Sequence, residues 1–182
     1  RQMCIRDRRY IGLSNETPWG LSEFIRIADQ MNLPRVQSVQ NAYNLLNRTY
    51  EYGMSEFYFR SEVGLLAYSP LAQGYLSGKY LNGQMPEGSR LKLYSKNFPR
   101  YQGTRSQLAV EEYYKVAQKH GLSLTQMSLA FVNMQPFVDS NIIGATKLDQ
   151  LEENINSVHI ELSDEMIADI NAIHENNPSP AP

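Results

Sequence analysis

Residues 142–154 read Ile142-Ile143-Gly144-Ala145-Thr146-Lys147-Leu148-Asp149-Gln150-Leu151-Glu152-Glu153-Asn154, and the fold turns on how they are read. An apolar run, Asn141-Ile142-Ile143, stops at Gly144; Leu148, Leu151, Ile155 and Val158 then recur at three- and four-residue spacing. This is the pattern of a strand that breaks at glycine and feeds a helix with one apolar face. Such a turn offers unpaired backbone N–H groups at the positive end of a helix dipole, which suits an anion. Thr146 adds a hydroxyl and Lys147 a charge. An ordinary turn with a solvated lysine explains the stretch equally well, so the surrounding chain has to decide.

Working outward, the same strand-then-helix unit recurs. Residues 9–13 are a short strand candidate. Thr17-Pro18 then has the form of an N-cap followed by proline at the first helical position. Leu21, Phe24, Ile25, Ala28 and Met31 come next at helical spacing, which predicts a helix over 18–31. Strands are expected at 36–40 and 64–68, with a short helix from about 55 to 62 between them. The apolar run 64–68 predicts a strand covered on both faces. Glycine and proline punctuate residues 69–103 and deny a long regular element there. A loop of that length is functional or disordered, and its aromatic residues (Tyr75, Tyr80, Tyr94, Phe98, Tyr101) argue against disorder. Helices are expected over 104–120, from Ser123 to Pro136 and after Ser163, with a fourth strand at 139–143. The tail Asn176-Asn177-Pro178-Ser179-Pro180-Ala181-Pro182 reads as irregular.

Alternating strands and helices predict a parallel sheet with helices outside it. Four such units are half of a (β/α)₈ TIM barrel, which spans about 250 residues. A flavodoxin-like open sheet fits the same order.

Composition narrows the function classes. The formal charge of −2, from 17 scattered basic and 19 acidic residues, speaks against a nucleic-acid partner. No apolar run approaches the roughly 18 residues of a membrane span. One cysteine, Cys4, allows no internal disulfide, which fits a cytoplasmic location and leaves a Cys-poor secreted protein open. Residues 1–8 differ in character from the rest of the chain. They are rich in arginine, lack an apolar period, and do not open on Met, so they read as a foreign join to a piece of a longer protein, here residues 9–182.

In a parallel α/β architecture function gathers at the C-terminal strand ends. Those ends are Ser14-Asn15, Gln40-Asn41, Tyr68-Ser69-Pro70 and Gly144-Ala145-Thr146. Each alone is an unremarkable polar loop. Together they suit a ligand carrying amide, ring and phosphate groups.

Four runs here carry a family likeness. They are Ile11-Gly12-Leu13-Ser14-Asn15, the stretch from Ser38 through Asn41-Ala42-Tyr43-Asn44 to Arg48, the stretch from Leu66 through Tyr68-Ser69-Pro70 to Tyr80, and residues 142–154. In this order they resemble the aldo-keto reductase family, most of all its bacterial Tas-type members, relatives of the potassium-channel beta subunits. The likeness covers residue 9 to the C-terminal Pro-Ala-Pro. It implies a (β/α)₈ barrel of which this chain is the second half, NADP(H) as cofactor, and a small-molecule aldehyde or ketone as substrate.

Carried over position by position, the resemblance implies that Ser14, Asn15 and Gln40 hold the nicotinamide carboxamide and that Tyr68 stacks on its ring. Ser69, Pro70, Leu71, Gln73, Gly74, Leu76, Gly78 and Lys79 would lie over the pyrophosphate, with Arg90 as a further clamp. Gly144 and Thr146 would meet the 2′-phosphate, and Gln150, Glu153 and Asn154 the adenine end. Relatives often carry arginine where Gln150 stands, so one cation for the 2′-phosphate is absent.

The resemblance also implies an absence. The family's Asp, Tyr, Lys and His tetrad, with Tyr as general acid, lies in the half that precedes this chain. His120, His159 and His174 read as solvated or capping side chains, and Tyr43 and Tyr75 have no lysine neighbour in the sequence pattern to lower a phenol pKa. No catalytic residue and no metal ligand is assigned. The expectation is the cofactor-binding part of a reductase, inactive alone. A non-catalytic nucleotide-sensing subunit, like the channel beta subunits, and a half barrel that pairs with itself are the competing readings.

Overall fold

The computed structural model describes residues 9–94 and 99–182; the 1–8 segment and Phe98 lie outside the described residues. Four strands, β1 (Ile11–Ser14), β2 (Val36–Ala42), β3 (Gly64–Tyr68) and β4 (Val138–Ile142), form one parallel sheet in the order β1-β2-β3-β4. The helices are α1 (Pro18–Met31), α2 (Glu56–Ser61), α3 (Arg90–Tyr94), α4 (Thr104–Lys119), α5 (Leu124–Asn133), α6 (Leu148–Asn156) and α7 (Asp164–Asn176). Strand order follows chain order, with no reversal. A flavodoxin-like sheet winds both ways from its first strand and needs such a reversal, so the observed order excludes it and matches half of a (β/α)₈ barrel.

Register sorts the side chains onto two faces. Leu13, Val39, Leu65 and Val138 stand in one row across all four strands, and they pack into or against the core under the helices. Ser14, Gln40 and Leu66, each one residue on, and Ser140, brought into line by a bulge, form the adjacent row on the opposite face, because side chains alternate along a strand. That second face is open: Ser14, Gln40 and Ser140 are exposed, and Leu66 and Tyr68 half-buried. The expectation that β3 is covered on both faces is therefore corrected. Val63, Leu65 and Ala67 are buried, but Leu66 and Tyr68 are only half-buried, and among the described residues no helix packs over them.

Local chemistry sets the helix ends. Thr17 accepts from the Gly20 N–H at 3.1 Å and caps α1, with Pro18 at its first position. Leu21, Ile25 and Ala28 turn inward, while Trp19, Phe24, Ile27 and Met31 remain exposed on the far side. Ser123 and Gln126 form a reciprocal capping box on α5, at 3.0 Å and 2.9 Å. From Leu124 to Val132 only Gln126 of α5 is not buried, so this helix is the centre of the helical layer, against β4, α4 and α6.

Helix α6 behaves differently. The stripe Leu148, Leu151, Ile155 and Val158 exists, but it faces outward, with Leu148 84% and Val158 63% exposed. Exposed apolar stripes thus flank the sheet beside both edge strands. Among the described residues, no helix is long and apolar enough to cross a membrane.

The histidines divide. His159 is exposed as expected. His120 is not simply a cap: its Nε2 lies 2.9 Å from Asp169, which also takes Lys119 at 2.7 Å. His120, Glu165 and Asp169 come within metal-ligand range of one another, and the Lys119 ammonium already bridges the two carboxylates. His174 is half-buried, stacked on Tyr52 with its Nε2 2.8 Å from the phenol oxygen.

Both the α5 cap and the buried His174 ring can be tested by unfolding. Ser123→Ala removes the cap and the bond from Ser123 to Glu153, and should cost about 1–2 kcal/mol in urea unfolding. For His174, burial first and nearby Arg48 second lower the pKa below its ordinary 6.5. The unfolded chain then binds the proton more readily, so stability contributed by neutral His174 is full above about pH 6.5 and declines as pH falls toward the folded value. Unfolding curves between about pH 7.5 and pH 5 should show that decline in the wild type, and a flatter dependence in His174→Gln.

Candidate functional site

The strand ends converge on the open rim of the sheet. Asn15 follows β1 with a left-handed backbone, φ 53°, and its N–H donates to the Gln40 carbonyl at 3.0 Å. Its side chain accepts from the Tyr68 hydroxyl at 2.6 Å and donates to Ser14 at 3.2 Å. Ser14, Asn15, Gln40 and Tyr68 are thus brought together by register and by direct bonds. Asn41 supports the group from below, exchanging bonds of 3.0 Å and 2.9 Å with the backbone of Glu16.

After β3 the chain enters a strained turn. Ser69, Ala72 and Gln73 hold positive φ of 55°, 47° and 58° although none is glycine. Side chains rarely adopt this region, and such outliers concentrate at ligand sites. Gly74, at φ 98°, holds a backbone conformation that favours glycine, and the Lys79 side chain folds across it with its ammonium 5.2 Å from the Tyr80 ring centre. Pro70 is buried and Leu76 fully so; each offers a ligand only its backbone. Leu71 packs against the core. Gly78, φ 77°, ends the turn in the left-handed conformation.

A cavity of about 600 Å³ lies beside this turn, lined by Tyr68, Ser69, Gln73, Pro99, Arg100, Tyr101, Pro180, Ala181 and Pro182. Three of these, Tyr68, Ser69 and Gln73, are expected from the sequence. Arg90, the expected clamp, is exposed at the start of α3 and does not line the cavity. Arg100, which no sequence pattern singles out, does. The tail is irregular as expected, yet it is docked: Ala181 is buried and its N–H donates to the Leu46 carbonyl at 3.0 Å, so residues 180–182 form a wall. Nothing in its proline-rich composition announces that docking. It depends on partners more than 70 positions away, such as Ser106, whose hydroxyl donates to Pro180 O at 3.3 Å.

At the β4 end, Thr146 donates its N–H and hydroxyl to the Gln150 side chain at 3.1 Å and 3.2 Å. The buried Asn154 reaches the Gly144 carbonyl at 3.4 Å. The turn before α6 is therefore held from within the helix it opens. Glu153 accepts from Ser123 at 2.7 Å and serves the α5 cap. Gly144, Thr146, Lys147 and Gln150 are exposed at the α6 N-terminus.

The phenols near the strand ends are structural. Tyr43 is buried between Phe131 and Phe137 and donates to Glu51 at 2.6 Å; burial, and then the Glu51 charge, push its pKa far above the ordinary value of 10.0. Burial also raises the Tyr75 pKa. A neutral-pH general acid needs the opposite shift.

Comparison with known proteins agrees with this geometry. The model of the Aldo/keto reductase family matches residues 8–175. Protein tas of Escherichia coli is 50% identical over 96% of this chain and 50% of its own length. An aldo-keto reductase of Babesia bovis is 39% identical over 91% of this chain and 61% of its own. An L-glyceraldehyde 3-phosphate reductase of Escherichia coli O157:H7 is 32% identical over 88% of this chain and 48% of its own. The chain spans about half the length of the curated relatives it matches first. Four parallel βα units in sequential order, together with a family match over residues 8–175, establish that the chain belongs to the aldo/keto reductase family.

Proposed function

We propose that this chain is the cofactor-holding half of a cytoplasmic NADP(H)-dependent oxidoreductase that reduces aldehydes or ketones, and that the general acid resides in a preceding half. The observation that carries the reading is the Tyr68–Asn15 bond at 2.6 Å above the row Ser14–Gln40. It sets an aromatic face beside amide and hydroxyl groups at the strand ends, where a nicotinamide ring and its carboxamide find both stacking and hydrogen bonds. The reductase names of two relatives belong to those proteins and support the same class here.

The residues present fit the cofactor. The left-handed backbone at Ser69 and Gln73 and the bare Cα of Gly74 let a pyrophosphate approach closely, with Lys79 beside it. The α6 N-terminus supplies N–H groups, and Gly144, Thr146 and Gln150 would receive the 2′-phosphate and the adenine end. Of the two other adenine-end residues, Glu153 and Asn154, each is already bonded within the chain and would orient the turn. When bound, the cofactor supplies the hydride; the chain's own residues bind it, orient its ring and fix which face is presented. Tyr43 and Tyr75, with raised pKa values, have no part in protonating a carbonyl.

Titrating the 182-residue chain with NADPH and following nicotinamide fluorescence should show saturable binding. Tyr68→Ala should weaken it by about 1 kcal/mol, roughly fivefold, through loss of stacking. NADPH oxidation with a panel of aldehydes and ketones should stay at background. Clear turnover by the chain alone would overturn the division of labour.

A further inference from the structure

We propose that Asn133 is a positioning residue for the Gly144 turn: through Ser157 and Asn154 it sets where the α6 N-terminus presents Gly144 and Thr146, and so the grip on the adenine end of the cofactor. The inference rests on the reading of that turn as the adenine-side site. It assigns a role to the last residue of α5, which neither the family resemblance nor the strand-end pattern singles out.

Apolar packing does not locate α6. Its one buried residue is polar, Asn154, while Leu148, Leu151 and Ile155 of its apolar stripe are exposed. A helix with its apolar side outward gains little from hydrophobic burial against the layer it joins. What joins it there is a path of hydrogen bonds. Asn141 of β4 donates its side-chain amide to Asn133 Oδ1 at 2.8 Å. Asn133 in turn donates to the Ser157 hydroxyl oxygen at 3.0 Å. Ser157, buried in the turn that follows α6, donates its hydroxyl hydrogen to the Asn154 carbonyl at 2.6 Å. Asn154 then donates its side-chain amide to the Gly144 carbonyl at 3.4 Å. Gly144 follows closely on Asn141 in the chain, so the path leaves the end of β4, crosses α5 and α6, and returns to the same segment.

The path has one direction. A carbonyl can only accept, so the Ser157 hydrogen points to Asn154 and its oxygen turns its lone pairs to Asn133. Asn133 must then give its NH₂ to Ser157 and its oxygen to Asn141. A side chain that only accepts, or only donates, breaks the path at this point. The order has a cost: Asn141 Oδ1 is buried with no hydrogen-bond partner among the described residues. A directional path accounts for that bare acceptor, which stability alone does not. The Gly144 turn is thereby referenced to β4, the strand from which it springs, and Asn133 is the one member that uses a donor and an acceptor of the same amide.

The test titrates adenosine 2′,5′-bisphosphate, the adenine-side fragment of NADPH, into the wild type, Asn133→Ala, Asn133→Asp, Ser157→Ala, the Asn133→Ala/Ser157→Ala double variant and Ser163→Ala. Ser163→Ala is the stability control: it removes the α7 cap, in which Ser163 accepts from the Met166 N–H at 3.3 Å, and lies off the path. Hydrogen exchange of residues 144–150 and of β2 is read on each ligand-free protein. Positioning predicts that Asn133→Ala speeds exchange at 144–150 and not in β2, and weakens the bisphosphate about fivefold. Asn133→Asp, which accepts but cannot donate, gives the same loss, and the double variant is no weaker than Asn133→Ala. Ser163→Ala lowers the urea midpoint and leaves the affinity in place. If Asn133→Ala behaves like Ser163→Ala, with stability lost and affinity kept, the proposal is overturned. Exchange that rises equally in β2 overturns it as well. Should Asn133→Ala not fold, Ser157→Ala breaks the same path at one hydroxyl and decides by the same two readouts. A wild type that binds no bisphosphate defeats the cofactor reading of this turn, and the exchange at 144–150 alone then decides the positioning.

Discussion

Everything in this molecule hangs on one row of side chains, Leu13, Val39, Leu65 and Val138, held in register across four parallel strands and pressed against the helical layer. A parallel sheet has a side-chain period of two, so a slip of one residue on any strand would send its apolar member to the open face. The same constraint aims the next row, Ser14, Gln40, Leu66 and Ser140, at the open face on which the candidate site lies. Packing and binding are thus two consequences of one register. The bulges at β1/β2 and β3/β4 adjust the strands without breaking that row.

The region between β3 and α4 is organised by different means. It has no strand among its described residues and only short helical turns, yet Tyr75, Tyr80 and Tyr101 are buried in it, with ring centres 5.0 Å and 6.4 Å apart for the Tyr75 pairs. Aromatic burial and backbone bonds such as Ala72 N–H to Ser69 O at 2.8 Å substitute for regular structure. Left-handed residues at Ser69 and Gln73 cost energy that this packing offsets.

How much of the structure is legible in the sequence depends on the range of the interaction. The α1 helix announces itself through Thr17, Pro18 and an unbroken apolar period, all local, and its bounds match. The α5 cap is visible at Ser123 for the same reason. The outward turn of Leu148, Leu151 and Ile155 is not, because a stripe shows that a helix has an apolar side and says nothing about what lies opposite. The β3 run misleads in the same way: its apolar content is real, but Leu66 and Tyr68 face a space that the described residues leave open. At the candidate site, the gathering of the strand-end residues Ser14, Gln40 and Tyr68 is readable from topology. Arg100 and residues 180–182 are not, since neither periodicity nor turn chemistry reports on a contact between distant segments. Glu153 shows the limit from the other side, a residue expected at a ligand whose carboxylate holds Ser123.

The docked tail has a kinetic consequence. The Arg48 N–H donates to the Ser179 hydroxyl across 131 residues, at 3.2 Å, and Ala181 bonds to Leu46. Contacts of such separation cost loop-closure entropy before they return anything, so they form late. Strands β1 to β3 can pair while the tail is still diffusing. By the same argument the cavity wall is expected to close after β1 to β3 have paired. An ensemble caught partway would carry a well-formed sheet and a three-sided cavity, and its weakest point would be the latch at Leu46.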